Sequence, residues 1–230
     1  MENFSILIGG KAGFGIDKSG SIISYIMNRL GYRVYVYRDY PSIIRGGHTF
    51  SIIRSSSDRI YSHQNSIDCL LALNQDTINF HKSRLKNTSI IIYDADAVKC
   101  EEGCAIGIPV EKILKEEGAP EIMRNTCIIG SLSKIIGVEW SMVEQVLKKE
   151  ITKEIDINLV VARRGYDQVN TLFFLKSLNR SPLPLLTGNE AIGLGLIRGG
   201  LKAYISYPMT PTSPILHFLA VIADDFSLKV

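Results

Sequence analysis

The sequence has few of the features that mark membrane, secreted or metal-cluster proteins. No apolar run approaches the about 20 residues of a bilayer-spanning helix, and the N-terminus lacks the basic segment of a signal peptide. Of the 4 cysteines, only Cys100 and Cys104 are close together, and neither a zinc pattern nor a C-x-x-C-x-x-C run is present. We therefore expect a cytoplasmic protein with reduced thiols, no metal site or iron–sulfur cluster of its own, and no membrane contact.

A strong excess of charge of one sign is also missing. The formal net charge is +3 for 230 residues, too small to predict a nucleic-acid-binding surface. Hydrophobic residues make up 46% and charged residues 21%, an ordinary globular composition. The length suffices for one large domain or two small ones.

The first half of the chain alternates between short apolar runs and helical patterns. An apolar stripe over Ile22–Leu30 predicts a helix that Asp17 caps and Gly31 ends. Runs rich in Val, Ile, Leu and Tyr predict strands at Phe4–Ile8, Arg33–Tyr37, His48–Arg54, Ile67–Leu73 and Ser89–Tyr93. This alternation is typical of an α/β fold with a mostly parallel sheet and covering helices.

Beyond Ile106 the apolar residues recur three and four positions apart, which predicts helices. The predicted helices are Val110–Glu117, Ile122–Ile136, Ser141–Lys149 and about Ile157–Phe174. We therefore expect residues 1–176 to form one α/β domain.

A linker and a new unit follow. Ser177–Pro184 has no periodicity, and we predict a linker over residues 177–186. Thr187 and Glu190 form a capping-box pattern that begins a helix ending near Gly200.

The last segment adds one strand and one helix. Ala203–Ser206 predicts a short strand, and Thr210 or Ser213 can cap a final helix. Residues 187–230 are too few to bury a core of their own, so we interpret them as the start of a second α/β domain.

A glycine-rich turn, Gly9–Gly15, joins the first strand to the first helix. Glycines allow backbone amides to approach an anion at a helix N-terminus, so Gly10, Gly13 and Gly15 are candidate binding residues. The spacing matches neither the dinucleotide fingerprint nor the P-loop. The alternatives are a turn that binds nothing and a contact with the backbone of a partner.

A second candidate site is the segment Tyr40–Thr49. Ser42, Arg45 and His48 stand at intervals of three, with two glycines before the histidine. In a loop these side chains can converge on a carboxylate, a phosphate or a thioester carbonyl. The alternative is a polar loop that solvates a sheet edge.

A third candidate is Tyr207–Pro214, which follows a predicted strand and precedes a predicted helix. Ligands of open α/β sheets usually bind at such places. Pro208 and Pro211 restrict this loop and so fix the position of the Thr210 hydroxyl. The alternative is that Thr210 only caps the helix.

Together the three segments resemble the 2-oxoacid:ferredoxin oxidoreductases. The first ~180 residues are similar to that family's gamma domain, which has a G-G-x-G-x-G-type opening, here G-G-x-x-G-x-G, and a Tyr-Pro-Ser-x-x-Arg-Gly-Gly-His segment. Thr187–Val230 is similar to the beginning of the alpha, or pyrimidine-side, domain. There Gly188–Gly195 matches Gly-Asn-Glu-Ala-Ile-Gly-x-Gly, and Tyr207–Pro211 matches Tyr-Pro-x-Thr-Pro. The order gamma then alpha resembles the fused subunit of the two-subunit members.

The resemblance implies oxidative decarboxylation of a 2-oxoacid on thiamine diphosphate, with electrons passing through an iron–sulfur cluster to ferredoxin and the acyl group passing to coenzyme A. It implies that Thr210 hydrogen-bonds the oxoacid, beside a wall shaped by Tyr207, Pro208 and Pro211. It further implies that the gamma domain contributes to coenzyme A binding, for which Ser42, Arg45 and His48 are the candidates.

The resemblance also implies parts that these residues do not supply. The acid that activates the aminopyrimidine ring corresponds to a position beyond Val230, and the magnesium-pyrophosphate motif and the cluster belong to a beta subunit. We therefore expect a hetero-oligomer with a beta subunit, with ferredoxin as the electron acceptor, and no catalysis by the 230 residues alone. No residue indicates which 2-oxoacid is used.

Two other interpretations remain open at this point. The gamma domain can be a docking and lid element without a ligand of its own. Alternatively, the chain can be a free-standing nucleotide-binding protein in which Asp39 binds a ribose, although the glycine spacing argues against it.

Overall fold

The structure, a computed structural model, describes residues 3–39, 47–210 and 212–230. The chain divides into two compact units, Met1–Leu183 and Pro184–Val230. None of the helices in the described ranges is long and apolar enough to cross a membrane.

The first unit contains six described strands and six described α-helices. The strands are β1 (Asn3–Lys11), β2 (Arg33–Asp39), β3 (His48–Ser56), β4 (Ile67–Ala72), β5 (Leu85–Asp94) and β6 (Cys104–Ile108). The helices are α1 (Ile16–Arg29), α2 (Gln75–His81), α3 (Val110–Glu116), α4 (Arg124–Ile135), α5 (Trp140–Glu150) and α6 (Ile155–Asp167). Two short 3₁₀ helices, Lys82–Arg84 and Glu121–Met123, follow α2 and precede α4.

The six strands form one sheet in the order β2-β3-β1-β4-β5-β6. Strand β3 is antiparallel to both β2 and β1, whereas β1, β4, β5 and β6 pair in parallel. Only β3 therefore runs against the other described strands. The predicted α/β fold with a mostly parallel sheet is confirmed.

The sheet is buried on both faces, as parallel strands usually are. Successive side chains of β1 point to opposite faces, so Ile6 and Ile8 join a core with α1 and α4, whereas Leu7 joins a smaller core on the other face with Ile78 of α2. These side chains are at most 4% exposed, which explains why Ile6, Leu7 and Ile8 of β1 are consecutive apolar residues.

Helices α4 and α6 pack backbone to backbone. A Cβ atom on Gly130 would lie 2.0 Å from the carbonyl oxygen of Ala162, and one on Gly165 would lie 2.1 Å from that of Cys127. The Ser131 hydroxyl donates a hydrogen bond of 2.8 Å to the Gly165 carbonyl. Only residues without a side chain permit this approach, so the two glycines fix the helix spacing.

Two elements of this unit were not predicted, and one helix cap was predicted wrongly. Strand β6 was missed because it is only five residues long and has no alternating pattern. Helix α2 was missed because its seven residues are too few for a clear helical period. Asp17 lies in the first turn of α1 instead of capping it, because the N-cap is Gly15 at φ 68°.

The helix expected over Ile157–Phe174 ends at Asp167. The chain then returns across the C-terminal end of α4, where the amides of Leu172 and Leu175 donate to the carbonyls of Ile135 and Ile136, each at 3.0 Å. Carbonyls at a helix end have no partner within the helix, so this extended segment replaces the missing hydrogen bonds.

Part of the segment predicted as a linker is held against the first unit. The Leu178 amide donates to the Leu30 carbonyl at 2.8 Å, and the Asn28 side-chain amide donates to the Leu183 carbonyl at 2.7 Å. The backbone is therefore anchored as far as Leu183, the last residue of the first unit.

The second unit contains α7 (Gly188–Arg198), α8 (Thr212–Val221) and a 3₁₀ helix, Asp224–Phe226. The predicted capping box is present, since Glu190 N–H donates to the Thr187 hydroxyl at 3.2 Å and Thr187 N–H donates to the Glu190 carboxylate at 2.6 Å. The strand expected over Ala203–Ser206 is absent from the described residues, where Ala203 makes only an isolated parallel bridge with Lys229.

Candidate functional site

A cleft of about 320 Å³ lies at the carboxyl ends of β1, β4 and β5 in the first unit. Its walls are Lys11, Phe14, Leu73, Asn74, Gln75, Asp76, Ala97, Glu121 and Arg124. The chain leaves β1 toward β2 on one side and later enters β4 on the other, so the strand order reverses here. Ligands of open α/β sheets bind at this kind of reversal.

The glycine-rich turn forms one end of the cleft through Phe14. Gly13 and Gly15 have φ angles of 97° and 68°, which L side chains rarely adopt. The Asn125 side-chain amide of α4 donates to the Phe14 carbonyl at 3.1 Å and so holds the turn in place. Gly10 differs from the other two, because a Cβ there would press against Ile16 at 3.1 Å.

A buried ion pair supports the cleft beside the Phe14 ring. Arg124 donates to the Asp94 carboxylate at 2.6 Å, and the side chains are 10% and 0% exposed. Burial raises the pKa of Asp94 above its ordinary value, although Arg124 and the Asp96 amide oppose this shift. The Arg124 guanidinium also lies 4.9 Å from the centre of the Phe14 ring, so the pair connects β5, α4 and the glycine-rich turn.

Asn74 shapes the cleft where β4 passes into α2. Its side-chain oxygen accepts hydrogen bonds from the Thr77 amide at 3.2 Å and the Thr77 hydroxyl at 2.6 Å. This N-cap directs α2 away from the strand end. Lys11 brings positive charge to the cleft and Asp76 brings negative charge. The Arg124 charge is already paired with Asp94 and Glu121. Lys11 is therefore the cation of the lining that an anionic ligand group can reach.

Two histidines meet on the α2 face of the sheet. His48 opens β3 opposite Lys11, and its Nε2 lies 2.9 Å from Nε2 of His81 at the end of α2. Burial lowers the pKa of His48, and Asp76 and Asp39 partly oppose the shift. Burial, His48 and Arg84 lower the pKa of His81 to about 4. Both rings are therefore neutral at pH 7.

The structure places some of the predicted site residues and not others. Ser42, Arg45 and Pro211 lie outside the described residues. His48 stands beside the cleft, close enough to Asp76 of its lining for electrostatic interaction. Asp39 is also near His48, and its backbone carbonyl accepts a hydrogen bond from Thr49 at 2.8 Å.

The predicted residues of the second unit lie in the loop before α8. Tyr207 is 79% exposed, and Pro208 and Thr210 are exposed as well. Thr212 stabilises the helix start, with its hydroxyl donating to the carbonyls of Tyr207 and Met209. The Thr210 hydroxyl makes no hydrogen bond with the described part of the chain, so it is available to a ligand.

Sequence reasoning missed Asn74, Asp94, Arg124 and His81. The pattern Asn74-Gln-Asp-Thr77 after an apolar strand is a helix-start signature and was sufficient to find Asn74. The other three had no local signal, because Asp94 and Arg124 are 30 positions apart and His48 and His81 are 33 apart.

The comparisons with known proteins agree with each other. The family model described as Pyruvate ferredoxin/flavodoxin oxidoreductase matches residues 5–168. The alpha subunit of 2-oxoacid:ferredoxin oxidoreductase 2 from Aeropyrum pernix is 27% identical over 269 residues, covering 93% of this chain and 42% of that subunit. The 2-oxoglutarate synthase subunit KorC of Archaeoglobus fulgidus is 27% identical over 165 residues, covering 71% of this chain and 86% of that subunit.

A solved structure shares the fold of the whole chain. The 2-oxoglutarate:ferredoxin oxidoreductase from Magnetococcus marinus, with 2-oxoglutarate, coenzyme A and succinyl-CoA bound, superimposes with a TM-score of 0.83 at 24% identity, covering 100% of this chain and 43% of that one. This chain thus spans less than half the length of that protein and of the Aeropyrum subunit. The resemblance seen in the sequence is confirmed, and the chain belongs to the Pyruvate ferredoxin/flavodoxin oxidoreductase family.

Proposed function

We propose that the chain is the gamma domain and the first part of the alpha domain of a coenzyme-A-dependent 2-oxoacid:ferredoxin oxidoreductase. The observation that carries the proposal is the alignment of 93% of the chain, across both units, with the alpha subunit of such an enzyme. Residues 1–176 are then the gamma domain, 177–186 the linker and 187–230 the beginning of the pyrimidine-binding domain.

The loop before α8 is proposed to face the oxoacid. Thiamine diphosphate, when bound to the complex, would supply the carbanion chemistry of decarboxylation. Thr210 would donate a hydrogen bond to the substrate, because its exposed hydroxyl is not used within the described chain. Tyr207 and Pro208 would form the adjacent wall, together with Pro211.

The first unit is proposed to contribute to coenzyme A binding. The cleft offers Lys11 to anionic groups and a strand-end position typical of ligand sites. His48, on the neighbouring strand, would add a neutral hydrogen-bonding group, with Ser42 and Arg45 as further candidates. Gly13 and Gly15 would shape the turn, whereas Gly10 would act through packing.

Other polypeptides are required for this activity. We propose a cytoplasmic hetero-oligomer in which a beta subunit supplies the iron–sulfur cluster and the magnesium-pyrophosphate site and passes electrons to ferredoxin. Apolar side chains on the second unit support a partner, since Ile205, Tyr207 and Val221 are 93%, 79% and 84% exposed.

The test is steady-state kinetics of the purified complex with Thr210→Ala and Thr210→Ser. Loss of a hydrogen bond made only in the transition state costs about 10²-fold in kcat, so Thr210→Ala should be severely impaired while Thr210→Ser retains most activity. Equal activity of the wild type and Thr210→Ala would contradict the proposed role.

The second candidate function is a docking and lid module of the same complex with no ligand of its own. Exposed apolar side chains of the first unit favour it independently of the cleft, since Tyr61, Phe80 and Phe174 are 80%, 60% and 76% exposed. Calorimetric titration of the 230-residue chain with coenzyme A separates the two functions, because a docking module would show no binding while the main proposal predicts it.

A further inference from the structure

The His48–His81 pair is enclosed by aromatic side chains. Phe50 lies against both rings, with centroid distances of 5.9 Å to His48 and 4.4 Å to His81, and Phe80 lies 5.3 Å from His48. His81 is 3% exposed, whereas His48 is half-buried. The contact between the Nε2 atoms is thus shielded from water, and its proton arrangement matters energetically.

The number of protons in the pair is restricted. Both rings are neutral, so each carries one proton, and a hydrogen bond between two Nε2 atoms needs a proton on only one of them. One ring is therefore the Nε2–H tautomer and the other the Nδ1–H tautomer. Both Nδ1 atoms are buried and lack a hydrogen-bond partner among the residues that the structure describes.

The surroundings favour one of the two arrangements. An unpaired buried N–H is rarer in proteins than an unpaired acceptor. The Nδ1 atom of His81, the more enclosed ring, should therefore carry no proton. The charges act in the same direction, since Arg84 lies near His81 while Asp39 and Asp76 lie near His48. A positive field favours a lone pair and a negative field favours an N–H group.

We propose that His81 is a positioning residue for His48: its Nε2–H donates to Nε2 of His48 and fixes His48 as the neutral Nδ1–H tautomer, a donor to an acceptor oxygen of coenzyme A. The last part rests on the proposed function. In this arrangement the ligand oxygen supplies the partner that Nδ1 of His48 lacks. The bond also fixes the ring between β3 and α2.

The tautomers can be measured directly on the 230-residue chain. Long-range ¹H–¹⁵N spectra at pH 7 distinguish a protonated ring nitrogen from a bare one, and His48→Asn and His81→Asn assign the signals. The expected result is a proton on Nδ1 of His48 and on Nε2 of His81. The reverse assignment, or two doubly protonated rings, would overturn the inference.

Kinetics of the complex test the consequence. Loss of one hydrogen bond is worth about twofold to tenfold, so His81→Phe should raise the KM for coenzyme A by that factor and leave kcat within twofold. His81→Gln, whose amide N–H can replace the donor, should restore the KM. Phe80→Leu is the packing control, because it alters a ring beside His48 without touching the hydrogen bond.

The outcomes separate the two proposals. If the wild-type complex uses coenzyme A and His81→Phe has an unchanged KM, the role of His81 is refuted and the proposed function stands. If the wild-type complex oxidises a 2-oxoacid without using or binding coenzyme A, the proposed function fails, and so does the ligand assigned to His48.

Discussion

The buried pair between Asp94 and Arg124 gives a quantitative prediction about the cleft wall. Arg124→Met keeps most of the side-chain volume but leaves the Asp94 carboxylate, 0% exposed, without its cation. Breaking a buried pair from one side costs about 3–5 kcal/mol. The loss of stability has an upper limit, because Asp94 can take up a proton instead of remaining charged. Protonating a carboxyl with an ordinary pKa of about 3.9 costs about 4 kcal/mol at pH 7 and about 1.5 kcal/mol at pH 5.

The sign of the pH dependence follows from the direction of the shift. Burial already raises the pKa of Asp94, and Arg124 is the first of the groups that oppose it, so the substitution raises that pKa further. A carboxyl with a raised pKa in the folded state loses stability as the pH increases through that range. The deficit of Arg124→Met should therefore grow from about 1.5 kcal/mol or less at pH 5 to about 3–4 kcal/mol at pH 7.

Urea unfolding at the two pH values measures this difference. Arg124→Met/Asp94→Asn should recover much of the stability, because it removes the buried charge as well. Lys148→Met is the control, since it breaks an exposed pair with Glu144 in one helix and should cost about 0.5 kcal/mol at either pH. A deficit of Arg124→Met as small as that of the control, or equal at both pH values, would refute the reasoning.

Two further predictions concern packing and pH. Gly130→Ala should destabilise the protein by about 3 kcal/mol in urea unfolding, because its Cβ would lie 2.0 Å from the Ala162 carbonyl oxygen. The control is Ser133→Ala, which removes a hydrogen bond within the same helix and should cost under about 1 kcal/mol. The pKa of His81 is lowered to about 4 in the folded state. The free energy of unfolding should therefore fall by roughly 3 kcal/mol as the pH decreases from about 6.5 to about 4. This fall should be largely absent in His81→Phe. Equal losses for the two α4 substitutions, or an unchanged pH slope in His81→Phe, would contradict these predictions.

The fold was largely predictable because its signals are local. The apolar run of β1 and the capping box at Thr187 each lie within a few residues, and the structure contains both. Strand β6 was missed because a five-residue edge strand with Gly107 near its end carries too little pattern. Its pairing with β5 depends on contacts that are distant in sequence.

The site was less predictable than the fold, because its side chains meet through tertiary packing. Asp94 ends β5 and Arg124 begins α4, and no spacing in the sequence indicates that they bind each other. His48 was identified from its loop motif, yet its partner His81 lies on a helix too short to predict. The residues of this cleft are brought together at the carboxyl ends of neighbouring strands, which only the three-dimensional structure shows.

The central claim is that the chain acts as part of a coenzyme-A-dependent 2-oxoacid:ferredoxin oxidoreductase. Its most direct test is purification of the chain from its native source, with the mass of each accompanying polypeptide and the rate of ferredoxin reduction. We predict a co-purifying beta subunit and ferredoxin reduction that requires both a 2-oxoacid and coenzyme A. A folded chain that purifies alone, without this activity, would contradict the claim.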